Sequence, residues 1–137
     1  MSHPDAAWHV ALVLDTTAVL AYVAGSMHVH EPVLLAGEAG DDVAVPVVCL
    51  IEAVRRDPKV DLRDLLHADQ VVTVMPDRHT DADLLADWSI FLDGREDAAA
   101  AAVLTYRYGA GLLTDEPDLY AIGGRHPGWV ISIDGGW

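Results

Sequence analysis

Continuous runs of apolar residues alternate along the chain with longer segments in which apolar residues recur at helical spacing. A short continuous run, without polar residues in alternate positions, is typical of a strand that is buried on both faces of a sheet. We therefore predict strands at Val10–Leu14, 43–45, 71–75, Gly111–Thr114 and 130–133. The segments between these runs predict helices at 18–24, 31–39, Val47–Arg56, 61–68, 81–92 and Glu96–Tyr108.

Cap and turn residues support these bounds. Asp15, Thr16 and Thr17 offer side-chain oxygens to the first helix, and Pro32 fits the first turn of the helix predicted at 31–39. Strands that alternate with helices of this length predict an α/β fold. In such a fold a short, mostly parallel central sheet carries helices on both of its faces.

The composition favours one cytoplasmic domain. The chain has 137 residues, of which 52% are hydrophobic, and this is enough for a single core. Cys49 is the only cysteine, so the chain can form neither an intramolecular disulfide nor a cysteine-based zinc site, and we expect a reducing compartment. Residues 1–9 lack the apolar segment of a signal peptide and are expected to form a flexible tail. No run reaches the roughly 18 apolar residues that a membrane span needs.

The net charge argues against a nucleic-acid partner. The 22 acidic residues exceed the 8 basic ones and give the chain a formal charge of −14. Such a surface repels a phosphate backbone, so RNA binding would require a local basic rim. Arg55, Arg56 and Arg95 are the nearest candidates for that rim by sequence, and ordinary surface ion pairing is their alternative role.

Acidic side chains from four separate segments are expected at one edge of the sheet. The functional crevice of a parallel sheet lies beyond the carboxyl ends of its strands, and acids follow two of the predicted strands directly. A third acid stands in an otherwise uncharged stretch, and a fourth opens the alanine-rich helix. The acids with this placement are Asp15, Glu52, Asp97, Asp115 and Glu116. Carboxylates without histidine or lysine beside them favour a hard divalent cation, Mg²⁺ or Mn²⁺.

Each of these acids also has an interpretation that requires no metal. Asp15 or its neighbouring threonines can cap a helix, Asp97 suits the first turn of a helix, and Asp115 suits a polar turn. Separate explanations are then needed for acids that together fit a single site. We therefore favour the metal site as the interpretation.

Glu52 is the most informative of the acids. A carboxylate within an apolar helix costs free energy unless it is paired or binds a metal. Arg55 and Arg56 follow it by three and four residues, so a salt bridge on the same helical face is the alternative to metal binding.

The order and spacing of these residues resemble the PIN domain, in particular the toxin of bacterial VapBC toxin–antitoxin pairs. The resemblance extends over nearly the whole chain, through the segments VLDTTAVLAYVAG (13–25), VPVVCLIEAVRR (45–56) and EDAAAAAVLTYRYGAGLLTDEPDLYA (96–121). Members of the family have an Asp and a Thr or Ser after the first strand, an acid in an apolar helix, an Asp at the start of an alanine-rich helix, and a strand that ends in Thr with an acid one or two residues later. The matching residues here are Asp15 with Thr16, Glu52, Asp97, and Thr114 with Asp115 or Glu116.

Two positions depart from the family pattern. Glu116 stands where the family usually has Asp, and Asp115 beside it is the alternative. Asp93 and Glu96 are alternatives to Asp97 as the third acid. A misplaced third ligand would weaken metal binding and would leave an inactive relative.

The resemblance implies a single PIN-like three-layer domain over residues 1–137, and an Mg²⁺- or Mn²⁺-dependent endoribonuclease that acts as the toxin of a type II toxin–antitoxin pair. It also implies RNA as substrate, a small antitoxin that inserts basic side chains into the site, and a homodimer. The residues to which it gives roles are Asp15, Glu52, Asp97 and Glu116 as catalytic acids, Asp15, Asp97 and Asp115 as metal ligands, Thr16 and Thr114 as supporting donors, and Arg55 and Arg56 as phosphate contacts.

Two other classes of function compete with the ribonuclease. The acidic surface and the imperfect third and fourth acids also fit a catalytically silent PIN-like module that binds a protein. A nucleotide-binding α/β enzyme is disfavoured, because the sequence has neither a G-x-G-x-x-G nor a G-K-[ST] phosphate loop.

Overall fold

A computed structural model describes residues 9–75 and 82–133. All but the last residue of the predicted tail at 1–9 therefore lies outside the described residues. The elements in chain order are β1 (Val10–Leu14), α1 (Thr16–Val23), α2 (Met27–Glu38), β2 (Asp42–Pro46), α3 (Val47–Arg56), α4 (Arg63–His67), β3 (Val71–Val74), α5 (Ala82–Phe91), α6 (Glu96–Tyr108), β4 (Gly111–Thr114) and β5 (Val130–Ser132). A short 3₁₀ helix, Pro117–Tyr120, lies between β4 and β5.

The predicted bounds of β1, α3, α6 and β4 are confirmed, and most other elements differ from prediction by one to three residues. The helix α2 is the exception, since it begins at Met27, four residues earlier than predicted. Pro32 therefore lies inside the helix and not in its first turn. Val29, Val33 and Ala36 are buried on one face of α2, and their burial stabilises the helix despite the backbone donor that proline lacks.

The five strands form one sheet in the order β3-β2-β1-β4-β5, and every pairing between them is parallel. The chain builds outward from β1 through β2 to β3, then returns to the other side of β1 to build β4 and β5. The direction of winding thus reverses between β1 and β4. In sheets of this kind the crevice beyond the carboxyl ends of the two strands at the reversal is the usual ligand site.

Two hydrophobic cores cover the two faces of the sheet, so the predicted α/β arrangement of three layers is confirmed. On one face α5 and α6 pack against residues that include Val13, Ala44 and Leu112. On the other face α1, α2 and α4 pack against residues that include Leu14 and Val45.

The helix α3 lies at the margin between the two layers. Cys49 belongs to one core and Ala53 to the other, and both are fully buried. This placement brings the outer face of α3 to the carboxyl end of the sheet. Across the described part of the chain, none of the helices combines the length and the apolar character that a membrane crossing requires.

Candidate functional site

Asp15 lies at the carboxyl end of β1, where it caps α1 and is only 3% exposed. Its Oδ1 accepts hydrogen bonds from the backbone N–H of Ala18 at 3.0 Å and from Thr17 Oγ1 at 2.8 Å. Its Oδ2 accepts a hydrogen bond from the Tyr120 hydroxyl at 2.9 Å. Burial raises the pKa of Asp15, and hydrogen bonds from Thr114 and these other donors oppose only part of that effect. Asp15 is therefore both the N-cap of α1 and one of the acids that the sequence predicts for the site.

Asp97 is the second acid at this edge, and it is 5% exposed near the start of α6. Its Oδ2 accepts a hydrogen bond from Thr16 Oγ1 at 2.6 Å, and the Arg95 guanidinium contacts both of its oxygens at 3.1 and 3.2 Å. Burial raises the pKa of Asp97, but the hydrogen bonds from Arg95 and Thr16 outweigh it and leave the pKa below its ordinary value. Asp93 and Glu96, the alternatives to Asp97, are exposed.

Glu116 and Asp115 differ in where they lie. Glu116 is partly buried, and its Oε2 accepts a hydrogen bond from Arg95 Nη2 at 3.3 Å. Asp115 is exposed, and its backbone N–H donates to Thr17 Oγ1 at 2.8 Å. The backbone N–H of Glu116 donates to Thr114 Oγ1 at 2.9 Å, which fixes the turn after β4. Of the two acids, Glu116 is the one that joins the contacts of Asp97.

Glu52 forms the salt bridges that its spacing allowed. Arg55 contacts both Glu52 oxygens, from Nε at 2.8 Å and from Nη2 at 2.6 Å, and Arg56 Nε contacts Oε2 at 3.0 Å. Hydrogen bonds from Arg55 and then from Arg56 lower the pKa of Glu52, so the carboxylate is held in its charged form. Pairing with Arg55 and Arg56 offsets the free-energy cost of placing this acid in an apolar helix.

Arg56 connects the acids of different segments. Besides its contact with Glu52, its Nη2 lies 3.7 Å from Asp97 Oδ2 and its Nη1 lies 4.0 Å from Glu116 Oε1. Three acids from α3, α6 and the turn after β4 thus surround one guanidinium group. Arg95 also contacts two of these acids, Asp97 and Glu116.

The carboxylate oxygens of these acids are the kind of ligand that a hard cation binds. The spacing of the acids in this structure, however, does not suit a shared ion. The acids supply only oxygen ligands and several negative charges, which is what Mg²⁺ or Mn²⁺ prefers. Within residues 9–75 and 82–133, however, no group of three or more His, Cys, Asp or Glu side chains could hold a metal ion. The positive charge among the acids is supplied by Arg56 and Arg95.

Thr17 and Tyr120 are site residues that the sequence analysis did not identify as such. The Thr17 hydroxyl contacts Asp15 and lies 3.3 Å from the hydroxyl of Thr114, so it joins the ends of β1 and β4. Tyr120 is fully buried and lies 105 residues from its partner Asp15. The Asp-Thr-Thr sequence was a local signal for Thr17, but no local pattern marks Tyr120.

Cys49 lies under the site as a buried thiol. Its Sγ donates a weak hydrogen bond to the backbone oxygen of Asp97 at 3.3 Å. Burial raises the pKa of Cys49 well above its ordinary value, and the charge of Asp15 adds to this effect. The thiol therefore stays protonated and acts as a small apolar side chain.

Comparisons with known proteins find a structural similarity without a sequence match. No family model matches the chain, and no curated protein matches it significantly. One chain of a solved toxin-antitoxin complex from Klebsiella pneumoniae superposes with a TM-score of 0.63 over 90% of this chain and 98% of that chain. The two sequences are 11% identical over this superposition, so the similarity shows a shared fold.

Proposed function

We propose that the chain is a divalent-metal-dependent endoribonuclease of the PIN type and the toxin of a type II toxin–antitoxin pair. The observation that carries the proposal is the meeting of Asp97, Glu116 and Glu52 around Arg56, at the edge of the sheet where β1 also ends in the buried Asp15. The fold shared with a chain of a toxin-antitoxin complex supports the toxin role.

The proposed roles are those that the resemblance to the PIN domain implies for these side chains. Asp15 and Asp97 would be the principal ligands of a cation, Glu116 or Asp115 would support them, and Glu52 would orient the attacking water. A bound Mg²⁺ or Mn²⁺ would lower the pKa of a water molecule and neutralise charge on the scissile phosphate.

The threonines and arginines have separate roles in the proposal. Thr16 holds Asp97 through its hydroxyl, and Thr114 fixes the turn that carries Glu116. Arg55 and Arg56 supply the local positive charge that RNA needs on a chain of formal charge −14. The Arg55 side chain is 73% exposed and is therefore available to a phosphate group.

A small antitoxin is the proposed protein partner, and a homodimer is the proposed assembly. The acids of the site already bind two guanidinium groups within the chain, so their geometry suits arginine side chains from another protein. An antitoxin with basic side chains would complement the acidic edge and block access of RNA to it.

RNA cleavage by point variants tests the proposal. We expect the wild type to cleave single-stranded RNA with Mn²⁺ or Mg²⁺ and to lose cleavage when EDTA removes the metal. Asp97→Asn should reduce the cleavage rate at least 100-fold, on the order of 3 kcal/mol of transition-state stabilisation. Asp69→Asn is the matched control, because Asp69 is an exposed acid in a turn and its loss should leave the rate unchanged.

A catalytically silent protein-binding module is the second candidate function. The ion pairs favour it, because Glu52, Asp97 and Glu116 all contact arginine and leave no group of acids in the described chain ready for a metal. If well-folded protein cleaves no RNA with either metal, and binds a basic peptide at the same edge, this second function replaces the first.

A further inference from the structure

A mostly apolar groove lies between α3 and α5, where both helices pack against α6. It holds a cavity of about 350 Å³, near the lower end of the roughly 300–1,000 Å³ that is usual for ligand pockets. Val48 of α3 and Ala86 of α5 line its two walls. Ala99 and Ala100 of α6, which are both buried, line its floor. Covering such a surface with another apolar surface is favourable, because it removes apolar area from water.

The apolar surface continues beyond the cavity along both walls. Ile51 follows Val48 by one turn of α3 and is 63% exposed, and Ile90 follows Ala86 by one turn of α5 and is 80% exposed. A small ligand in the cavity would leave both isoleucines in water, whereas a segment of protein along the groove would cover them. An amphipathic helix fits this arrangement, because its apolar face can lie between two helices.

The charges beside the groove are acidic and unpaired. Asp87, Asp93 and Glu96 are exposed, and none of them forms an ion pair with another described residue. Glu96 itself lines the cavity. Arg95, the one base in the sequence from 85 to 96, is already paired with two acids of the site. A second copy of the chain would bring a formal charge of −14 towards these acids, so charge complementarity favours a basic partner.

We propose that this groove docks a basic amphipathic helix of a partner protein. The apolar face of that helix enters the groove, and its lysine or arginine side chains lie beside Asp87, Asp93 and Glu96. The apolar contacts supply most of the affinity, whereas the charges at the rim select a basic partner and speed its association. The inference goes beyond the proposed function, because it concerns neither RNA cleavage nor a metal ion.

Fluorescence anisotropy with two labelled synthetic peptides tests the docking site. One peptide has leucines at helical spacing with lysines beside them, and the other has glutamate in place of each lysine. We expect the lysine peptide to bind the wild type on the order of tenfold more tightly than the glutamate peptide. This difference should shrink at about 1 M salt, where exposed charges are screened.

Variants of the groove locate the peptide on the surface. Ala86→Trp fills the cavity from an exposed position and should weaken binding of the lysine peptide on the order of tenfold. Ile90→Ser removes an apolar side chain from the rim and should weaken it about threefold. Leu34→Ser is the matched control, since Leu34 is 57% exposed on α2, across the sheet from the groove, and its loss should leave binding unchanged.

Each outcome decides for or against the docking site. Weaker binding by Ala86→Trp and Ile90→Ser, with Leu34→Ser unchanged, supports it. Equal binding by the wild type and Ala86→Trp would mean that the overall negative charge holds the peptide, and this result or a wild type that binds neither peptide overturns the inference. A wild-type dimer that Ala86→Trp dissociates in analytical ultracentrifugation would assign the groove to a second copy and would also overturn it. Should Ala86→Trp not fold, Ile90→Ser against wild type decides the question.

Discussion

Asp15 is both a helix cap and a buried acid. As the cap of α1 it accepts hydrogen bonds from Ala18 and Thr17, and as a buried acid it has little water around it. Burial raises its pKa, so the folded protein binds the Asp15 proton more tightly than the unfolded chain does. The stability that this proton contributes is fully present below the unfolded pKa, about 3.9, and is lost as the pH rises through the folded pKa.

The substitution Asp15→Asn should therefore stabilise the metal-free protein at pH 7, by on the order of 1 kcal/mol. Asparagine keeps the shape of the side chain and the acceptor for Ala18, and it removes the buried charge. Thermal melting between pH 7 and pH 4 measures the effect. The advantage of the variant should shrink as the pH falls, because wild-type Asp15 then becomes neutral. A variant that is less stable than wild type at pH 7 would show that the hydrogen bonds to the carboxylate outweigh the cost of burying it.

Tyr120→Phe tests the donor on the other oxygen of Asp15. Loss of the 2.9 Å hydrogen bond should reduce the free energy of unfolding by about 1–2 kcal/mol, since the remaining carboxylate oxygen is buried. Urea denaturation measures this loss. In Asp15→Asn the same Tyr120→Phe change should cost less, because the partner is no longer charged. Equal costs in the two backgrounds would mean that Tyr120 contributes through packing alone.

At the residue scale the sequence predicted the salt bridge of Glu52 with Arg55 and Arg56, but it did not predict the other partners of the acids. Asp15 and Asp97 could be placed because each stands at the end of a recognisable element. The contact of Tyr120 with Asp15, and the contact of Arg56 with Glu116, join distant parts of the chain, and only the packing of several elements decides them.

The helix α6 shows why an alanine-rich element is needed behind the site. Its residues from Asp97 to Thr105 are buried, and five consecutive alanines lie at 98–102. Small side chains let the helix lie close to the sheet, so that the start of the helix brings Asp97 to the carboxyl ends of the strands. The hydrophobic pattern predicted this helix without error because a long, continuous segment gives a clear signal.

Ala101→Leu should disturb that close packing. Ala101 is fully buried, so three added carbons have no free space and should reduce the free energy of unfolding by about 1–3 kcal/mol. Tyr106→Leu places the same residue on the same helix at a position that is 76% exposed, and it should change stability by less than about 0.5 kcal/mol. Urea denaturation of the two variants distinguishes them. Similar losses at both positions would contradict close packing of α6 on the sheet.

The start of α2 was harder to predict, because packing between elements decides it. Proline usually marks the first turn of a helix, so the sequence placed the helix start beside Pro32. Tertiary burial of Val29 on the preceding turn extends the helix to Met27. The preference of proline for the first turn of a helix is overridden there by the packing of the helix against the sheet.

For the whole molecule, the topology explains why acids from distant segments meet. The chain returns to β1 after building β3, so the reversal point lies between the carboxyl ends of β1 and β4. Alternation of strands and helices predicted the parallel sheet, whereas the order of the strands follows from which faces pack together. At this edge, arginines from α3 and from the residue before α6 balance part of the negative charge of the acids.

The most direct test of the account is thermal melting of the wild type with and without Mn²⁺, beside Asp97→Asn and the exposed control Asp69→Asn. At a Mn²⁺ concentration 100 times its dissociation constant, the wild type and Asp69→Asn should each gain roughly 2.7 kcal/mol of stability, and Asp97→Asn should gain almost none. A wild type whose melting temperature is indifferent to Mn²⁺, or an Asp97→Asn variant that gains as much as the wild type, would contradict the claim that these acids form a metal centre.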